Sequence, residues 1–205
     1  MTVLWCFRGG LRMAGRGYTI FDTMIGRCGI AWGHVGIVGV QLPEAREIET
    51  RRRLYKLYPD AREQRPPPEI EIAIEGIAAL LRGGLADFSD VTLDRAGILA
   101  FNQRVYQLTQ TIPRGETRTY GEIAAQLGAS GAVHSVAQAL ARNPFVIIVP
   151  CHRVLEAGSY ADKISPHGGS ISKRTLLSIE GARGGISSKT LFDVLLPVAP
   201  PRLQG

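Results

Sequence analysis

Between Pro113 and Pro144 the chain carries the feature that most narrows its fold, two short helical segments joined by a four-residue turn containing glycine. Thr119-Tyr120-Gly121-Glu122 fits a capping box, with Thr119 as N-cap and Glu122 three positions on, so a helix opens there and runs through Leu127. Gly128-Ala129-Ser130-Gly131 turns the chain. A second helix then spans Ala132 to Ala141 and is closed by Arg142-Asn143-Pro144. Paired helices with this spacing are the sequence form of a helix-turn-helix. Helical hairpins outnumber DNA readers, so the pattern restricts topology more than it restricts function.

The flanking segments extend a mainly helical unit. Apolar residues at Ile98, Phe101, Val105, Leu108 and Ile112 predict one helical stripe, stopped by Pro113-Arg114-Gly115. Phe145-Val146-Ile147-Ile148-Val149 has the composition of a buried strand, and Pro150-Cys151-His152-Arg153-Val154 follows it directly. A loop with Gly158, Pro166, Gly168 and Gly169 precedes a last helix, about Ser172 to Ile179, with Lys173 and Arg174 exposed.

The first half reads differently. Two β-rich runs, Tyr18–Trp32 and Gly36–Leu42, are split by Gly33-His34-Val35 and predict a hairpin or meander. Arg46 to Leu57 is a charged helix. After Pro66-Pro67-Pro68 the stripe Ile70, Ile74, Ile77, Ala78, Leu81 predicts a second, ended by Arg82-Gly83-Gly84, with Asp87 to Ala96 as linker. The expected organisation is a disordered extension over 1–17, a small α/β domain over 18–90, a mainly helical domain with a helix-turn-helix over 91–184, and a tail over 185–205. The fold class is α+β.

Composition sets the partners. Residues 1–90 carry 12 basic and 11 acidic side chains, whereas residues 91–184 carry 10 and 6, so the positive excess lies with the helix-turn-helix, as expected if that region meets a polyanion. No apolar stretch approaches the roughly 20 residues of a membrane span, and the N-terminus has no secretory h-region. Three cysteines without a CxxC pair argue against a disulfide framework and for a reducing, cytoplasmic location. Cys6, Cys28 and His34 match no structural zinc spacing and lack a fourth ligand, so no metal or other cofactor is expected.

Cys151 stands immediately before two groups that can be cationic, which biases a thiol toward thiolate and makes it a candidate nucleophile. Adjacent side chains diverge, so His152 reaches Cys151 more naturally through a bridging water. A histidine in that role needs its other ring nitrogen oriented by an acceptor. Glu180, at the end of the last helix, is the leading candidate, with Asp162 and Glu156 as alternatives.

Residues from about 97 to 182 resemble the C-terminal domain of O6-alkylguanine-DNA alkyltransferases, the methylated-DNA–protein-cysteine methyltransferases. The matching stretches are the run Ile112 to Glu122, then Ala141-Arg142-Asn143-Pro144, then Pro150 to Val154, then Gly168-Gly169 with Lys173, Leu176-Leu177 and Glu180-Gly181. The resemblance implies a protein that flips O6-alkylguanine out of double-stranded DNA and moves the alkyl group irreversibly to its own cysteine, once per molecule. It implies Cys151 as acceptor, His152 as water-mediated base and Glu180 as the group orienting it. Asn143 would organise the turn, Tyr120 would help protonate the guanine leaving group, and Arg153 would give structural support behind the site. DNA contacts would come from His134 and Ser135 on the second helix, from Arg114, Arg118, Arg142 and Lys173, and from Ser165 at the lesion oxygen.

Two departures from the family pattern bear on the substrate. His134 stands where an arginine usually enters the base stack, and it lacks arginine's reach and permanent charge. Asp162, Lys163 and Ile164 replace the usual glycine and aromatic before Ser165, removing a stacking surface. A monomeric alkyltransferase is the expectation. A non-repairing binder of alkylated guanine with the same fold is the alternative, a transcription factor would leave Pro150–Val154 without purpose, and a Cys-His hydrolase would turn over many times.

Overall fold

The computed structural model describes residues 17–157 and 173–182. Its architecture is α+β, a four-stranded sheet followed by a helical half that carries the helix-turn-helix. Among the described residues no helix is long and apolar enough to cross a membrane.

The first β-rich run forms a hairpin on its own, so the predicted meander has three strands. β1 (Gly17–Thr23) pairs antiparallel with β2 (Gly26–Trp32), and β2 with β3 (Ile37–Gln41). Gly26 turns the hairpin at a φ of 118°, which a side chain would resist. Gly17 pairs with Trp32 and Arg62, which moves it from the expected extension into the sheet; residues 1–16 lie outside the described residues. The charged helix forms as α1 (Glu47–Leu57), and the short β4 (Arg62–Glu63) then adds parallel to β1, giving the order β3-β2-β1-β4.

Alternation along β2 divides the core. Ala31 faces Leu54, Tyr58 and Ala61 around α1, while Cys28, Ile30 and Trp32 face the main core. The latter meet α2 (Pro68–Leu81), whose buried residues Ile70, Ala73, Ile77 and Leu81 follow the predicted helical period. The main core continues without a break into the second half, through Val105, Tyr106, Ile123, Val136, Phe145 and Leu176. The expected linker 87–96 is docked: the Ile37 amide donates to the Thr92 carbonyl at 3.0 Å and the Asp94 amide to the Ile37 carbonyl at 2.8 Å.

Helix α3 (Ala100–Gln110) sets the predicted stripe against the main core, with Val105 and Ile112 buried and Ile98, Phe101 and Leu108 packed on it, and widens it with buried Tyr106 and Thr109; Tyr106 meets Phe145 edge-on. After it the chain turns at Gly115, where φ is 79°. The capping box forms as predicted and starts α4 (Tyr120–Gln126). The Thr119 hydroxyl accepts from the Glu122 amide at 3.1 Å, and the Glu122 carboxylate accepts from the Thr119 amide at 2.6 Å. A 3₁₀ turn, Ser130–Ala132, leads into α5 (Val133–Ala141). Beyond the second 3₁₀ turn, Cys151–Arg153, strand β6 (Val154–Leu155) pairs parallel with β5 (Arg118–Thr119), and α6 (Lys173–Ile179) closes the described chain.

Phe145–Val149 is not a strand. All five residues are buried, but the Val149 amide folds back onto the Phe145 carbonyl at 2.7 Å, and Ile147 adopts a φ of 77°. The run is a compressed turn seated against the edge of the sheet, where the Val40 amide donates to the Pro144 carbonyl at 2.8 Å. Composition marked its burial correctly and its conformation wrongly, since an apolar run of this length has no periodicity to separate the two.

Candidate active site

Asn143 fixes the turn that presents Cys151. Its side chain is fully buried, donating from Nδ2 to the Val149 carbonyl at 2.9 Å and accepting from the Phe145 amide at 3.0 Å. The Cys151 amide then donates to the Val149 carbonyl at 2.8 Å, which starts the 3₁₀ turn holding Cys151, His152 and Arg153. Asn143 therefore bridges the two ends of this turn.

The electrostatics differ from the sequence expectation. Cys151 is only 4% exposed, and burial pushes its thiol pKa above the ordinary value; the charge of Lys173 and a hydrogen bond from Asn143 pull it part of the way back. His152, the next residue, supplies no positive charge. Burial drives its pKa below 6.5 even though Glu180 works in the opposite sense, so the ring is neutral near pH 7. Arg153 spends its charge elsewhere: Nε and Nη2 donate to the two oxygens of Glu180 at 2.9 and 2.8 Å, and Nη1 to the Ile112 carbonyl at 2.6 Å. The cation that acts on the thiol comes from α6, 22 residues on in sequence.

Glu180 is the acceptor for His152, at 2.9 Å between Oε1 and Nε2; Glu156 is exposed, and Asp162 lies outside the described residues. Burial disfavours the Glu180 carboxylate, but the hydrogen bonds from His152 and Arg153 outweigh it and hold the pKa at about 2. An ionised carboxylate only accepts, so Nε2 carries the imidazole proton and Nδ1 holds the free lone pair. Nδ1 is buried and has no hydrogen-bond partner among the described residues. This is the arrangement of an oriented base beside a protonated thiol.

The remaining predicted residues divide sharply. His134, Ser135 and Arg142 are exposed on α5 and the residue after it, with His134 and Arg142 on one stripe eight positions apart. The Gln138 amide nitrogen between them lies 2.8 Å from His134 Nε2. Arg118 is half-buried and hydrogen-bonds Glu116 and the Thr117 carbonyl. Arg114 and Lys173 both turn to acceptors within the protein. Arg114 donates to the carbonyls of Gly83, Gly84 and Ile179, at 2.6 to 3.0 Å, because the turn at Gly115 aims it at the ends of α2 and α6. Lys173, expected in solvent, turns inward to the Tyr120 hydroxyl at 3.0 Å and the Val154 carbonyl at 2.8 Å. Ser165 and the altered segment 158–165 lie outside the described residues. Cys28 is sealed in the core, where burial pushes its thiol up to about 12, and His34 is exposed on the β2–β3 turn.

Reading the sequence missed Lys173 as a partner of Tyr120, and Arg114 as one of the bonds between the two halves. Neither has a local signal, since the contacts span 53 and at least 30 residues.

Residues 100–182 match the family described as 6-O-methylguanine DNA methyltransferase, DNA binding domain. The chain is 47% identical over 122 residues to the methylated-DNA–protein-cysteine methyltransferase of Mycolicibacterium paratuberculosis, covering 59% of this chain and 70% of that protein. It is 35% identical over 153 residues to the enzyme of the same name from Methanothermobacter thermautotrophicus, covering 75% and 78%. The crystal structure of Mycobacterium tuberculosis OGT in complex with DNA superposes with a TM-score of 0.62 at 34% identity, covering 82% of this chain and 94% of that one. The chain belongs to the methylated-DNA–protein-cysteine methyltransferase family.

Proposed function

We propose that this protein repairs DNA by taking the alkyl group of O6-alkylguanine onto its own Cys151, once per molecule. The observation that carries the reading is the buried Cys151 beside His152, whose Nε2 proton is committed to Glu180 and whose Nδ1 is left basic. In the reaction the Cys151 sulfur bonds the alkyl carbon as that carbon's bond to O6 breaks, and the bonding pair stays with guanine. The thiol proton passes through water to His152 Nδ1, and guanine takes a proton from the Tyr120 hydroxyl. Return of a proton from His152 to Tyr120 through solvent restores both. A thiol held protonated by burial is inert toward casual electrophiles and becomes a nucleophile as its proton leaves.

A lesion oxygen in stacked duplex cannot reach such a sulfur, so the base must be extruded. The exposed stripe of α5 is the element for that task, His134 entering the stack and Ser135, Arg118 and Arg142 meeting the backbone. Ser165 keeps its implied role at the lesion oxygen. In this reading residues 91–184 are the DNA-binding and catalytic unit, acting as a monomer. The non-repairing binder is not favoured: it has no use for a thiol, a base and an orienting carboxylate in register.

Incubation with an excess of duplex carrying O6-methylguanine, followed by intact-mass and peptide measurement, tests the proposal. One methyl group per protein on the peptide holding Cys151 is expected. Continued release of methylated product, or an unmodified Cys151, would remove the assignment. His134→Arg is expected to raise the repair rate on duplex by about tenfold, because a permanent charge and longer reach replace the shorter imidazole. Its rate with free O6-benzylguanine should not change, and equal rates on duplex would show that His134 does not enter the stack.

A further inference from the structure

We propose that Gln138 is a positioning residue for base extrusion: its amide holds the His134 ring at the crest of α5, so that the two side chains meet the duplex as one unit. The inference rests on the repair reading above and on the entry of His134 into the base stack.

The crest is set by the packing of the helix. α5 buries Val136, Ala139 and Leu140, which leaves His134, Gln138 and Ala141 along the exposed line on the opposite side. Helical side chains lean toward the N-terminus, so Gln138 reaches back over one turn to the ring ahead of it. Its Nε2 stands 2.8 Å from His134 Nε2. Among the described residues neither side chain has another hydrogen-bond partner, so each is committed to the other. An amide carries both a donor and an acceptor, and turning it over lets it meet a ring nitrogen with or without a hydrogen. The contact therefore holds whichever imidazole nitrogen carries the hydrogen.

Extrusion gives that contact a use. An imidazole is shorter than a guanidinium, so it fills the gap left by a flipped base from a narrower range of orientations. An exposed histidine turns about two torsions, and fixing them at the moment of entry works against insertion. Gln138 fixes them beforehand. Ala141, next along the crest, adds only a methyl group, so the His134–Gln138 pair is what projects from this line.

A double-mutant cycle decides the matter. Single-turnover transfer from O6-methylguanine in duplex is compared for wild type, Gln138→Ala, His134→Ala and the double variant. Gln138→Ala is expected to slow transfer about threefold to tenfold, the cost of ordering one side chain at insertion. The double variant should be no slower than His134→Ala alone. Arginine has its own reach, so Gln138→Ala should cost nothing in a His134→Arg background. Additive losses, an unchanged Gln138→Ala rate, or a His134→Ala variant as fast as wild type would each overturn the proposal. Two readouts need no transfer. With Cys151→Ala protein saturating the duplex, the fluorescence of 2-aminopurine beside the lesion should rise less once Gln138→Ala is added. An equal rise would leave Gln138 as an ordinary helix contact between residues four apart, and would overturn the proposal. In the free protein, relaxation of the His134 ring carbons should report a rigid ring that becomes mobile in Gln138→Ala; equal mobility also overturns it. Wild-type protein that takes no methyl group from DNA would instead overturn the repair reading, and the ring relaxation would still decide the contact.

Discussion

Glu180→Gln loses about 3–5 kcal/mol of stability, the usual cost of removing one partner from a buried ion pair, and slows transfer at least about a hundredfold. The carboxylate is fully buried and accepts three hydrogen bonds, two from Arg153 and one from His152. Glutamine keeps the volume but removes the charge, leaving the Arg153 guanidinium buried against an amide. It also presents an NH₂ to one of those donors and frees His152 to take the other tautomer. Urea denaturation and single-turnover transfer rates measure the two losses. A variant as stable as wild type would mean that Arg153 does not depend on Glu180.

The same carboxylate makes the protein sensitive to acid. Its folded pKa of about 2 lies below the ordinary 4.5, so its contribution is complete above pH 4.5 and is lost as pH falls toward 2, about 3 kcal/mol in all. His152 adds to the loss from a higher pH: its folded pKa lies below 6.5, so the unfolded chain binds a proton first as pH falls through that value. Stability measured by denaturant should therefore decline from about pH 6.5 downward and more steeply below 4.5.

Asn143→Ala is the second large effect. The amide satisfies the Phe145 N–H and the Val149 carbonyl, and each buried group left without a partner costs about 1–3 kcal/mol, so a loss of about 2–6 kcal/mol is expected. Ile147, held in the left-handed region where a β-branched residue is strained, relaxes once that clamp is gone. The Cys151 amide hangs from the Val149 carbonyl, so the sulfur moves with the turn. Asn143→Asp separates geometry from charge. It keeps the acceptor for Phe145 but brings a negative charge to the thiol, so its transfer rate should be low at pH 7 and recover as pH rises. Equal rates at both pH values would argue against contact between Asn143 and the thiol.

What could be read from the sequence was what rests on local contacts. The Thr119–Glu122 box is made of bonds three residues apart, and the α2 stripe repeats with the period of a single helix, so both were visible in one segment. The turn at Phe145–Val149 was hidden because its conformation is dictated by one side chain outside it, Asn143, and its seat by the edge of β3. The partners of Cys151 came from resemblance more than from spacing, and the charge balance came from neither. Two basic residues beside a cysteine suggested a thiolate; burial of His152 and pairing of Arg153 leave that influence to a lysine placed by the packing of α6.

Arg114 gives that packing a wider meaning. Its guanidinium ties the carbonyls of Gly83 and Gly84, just past the end of α2, to that of Ile179, one residue before the carboxylate that pairs with His152. The half of the chain that holds no reacting atom therefore works as a jig, setting where a remote helix ends. A change in the length of α2 is therefore expected to shift the end of α6 and, with it, Glu180.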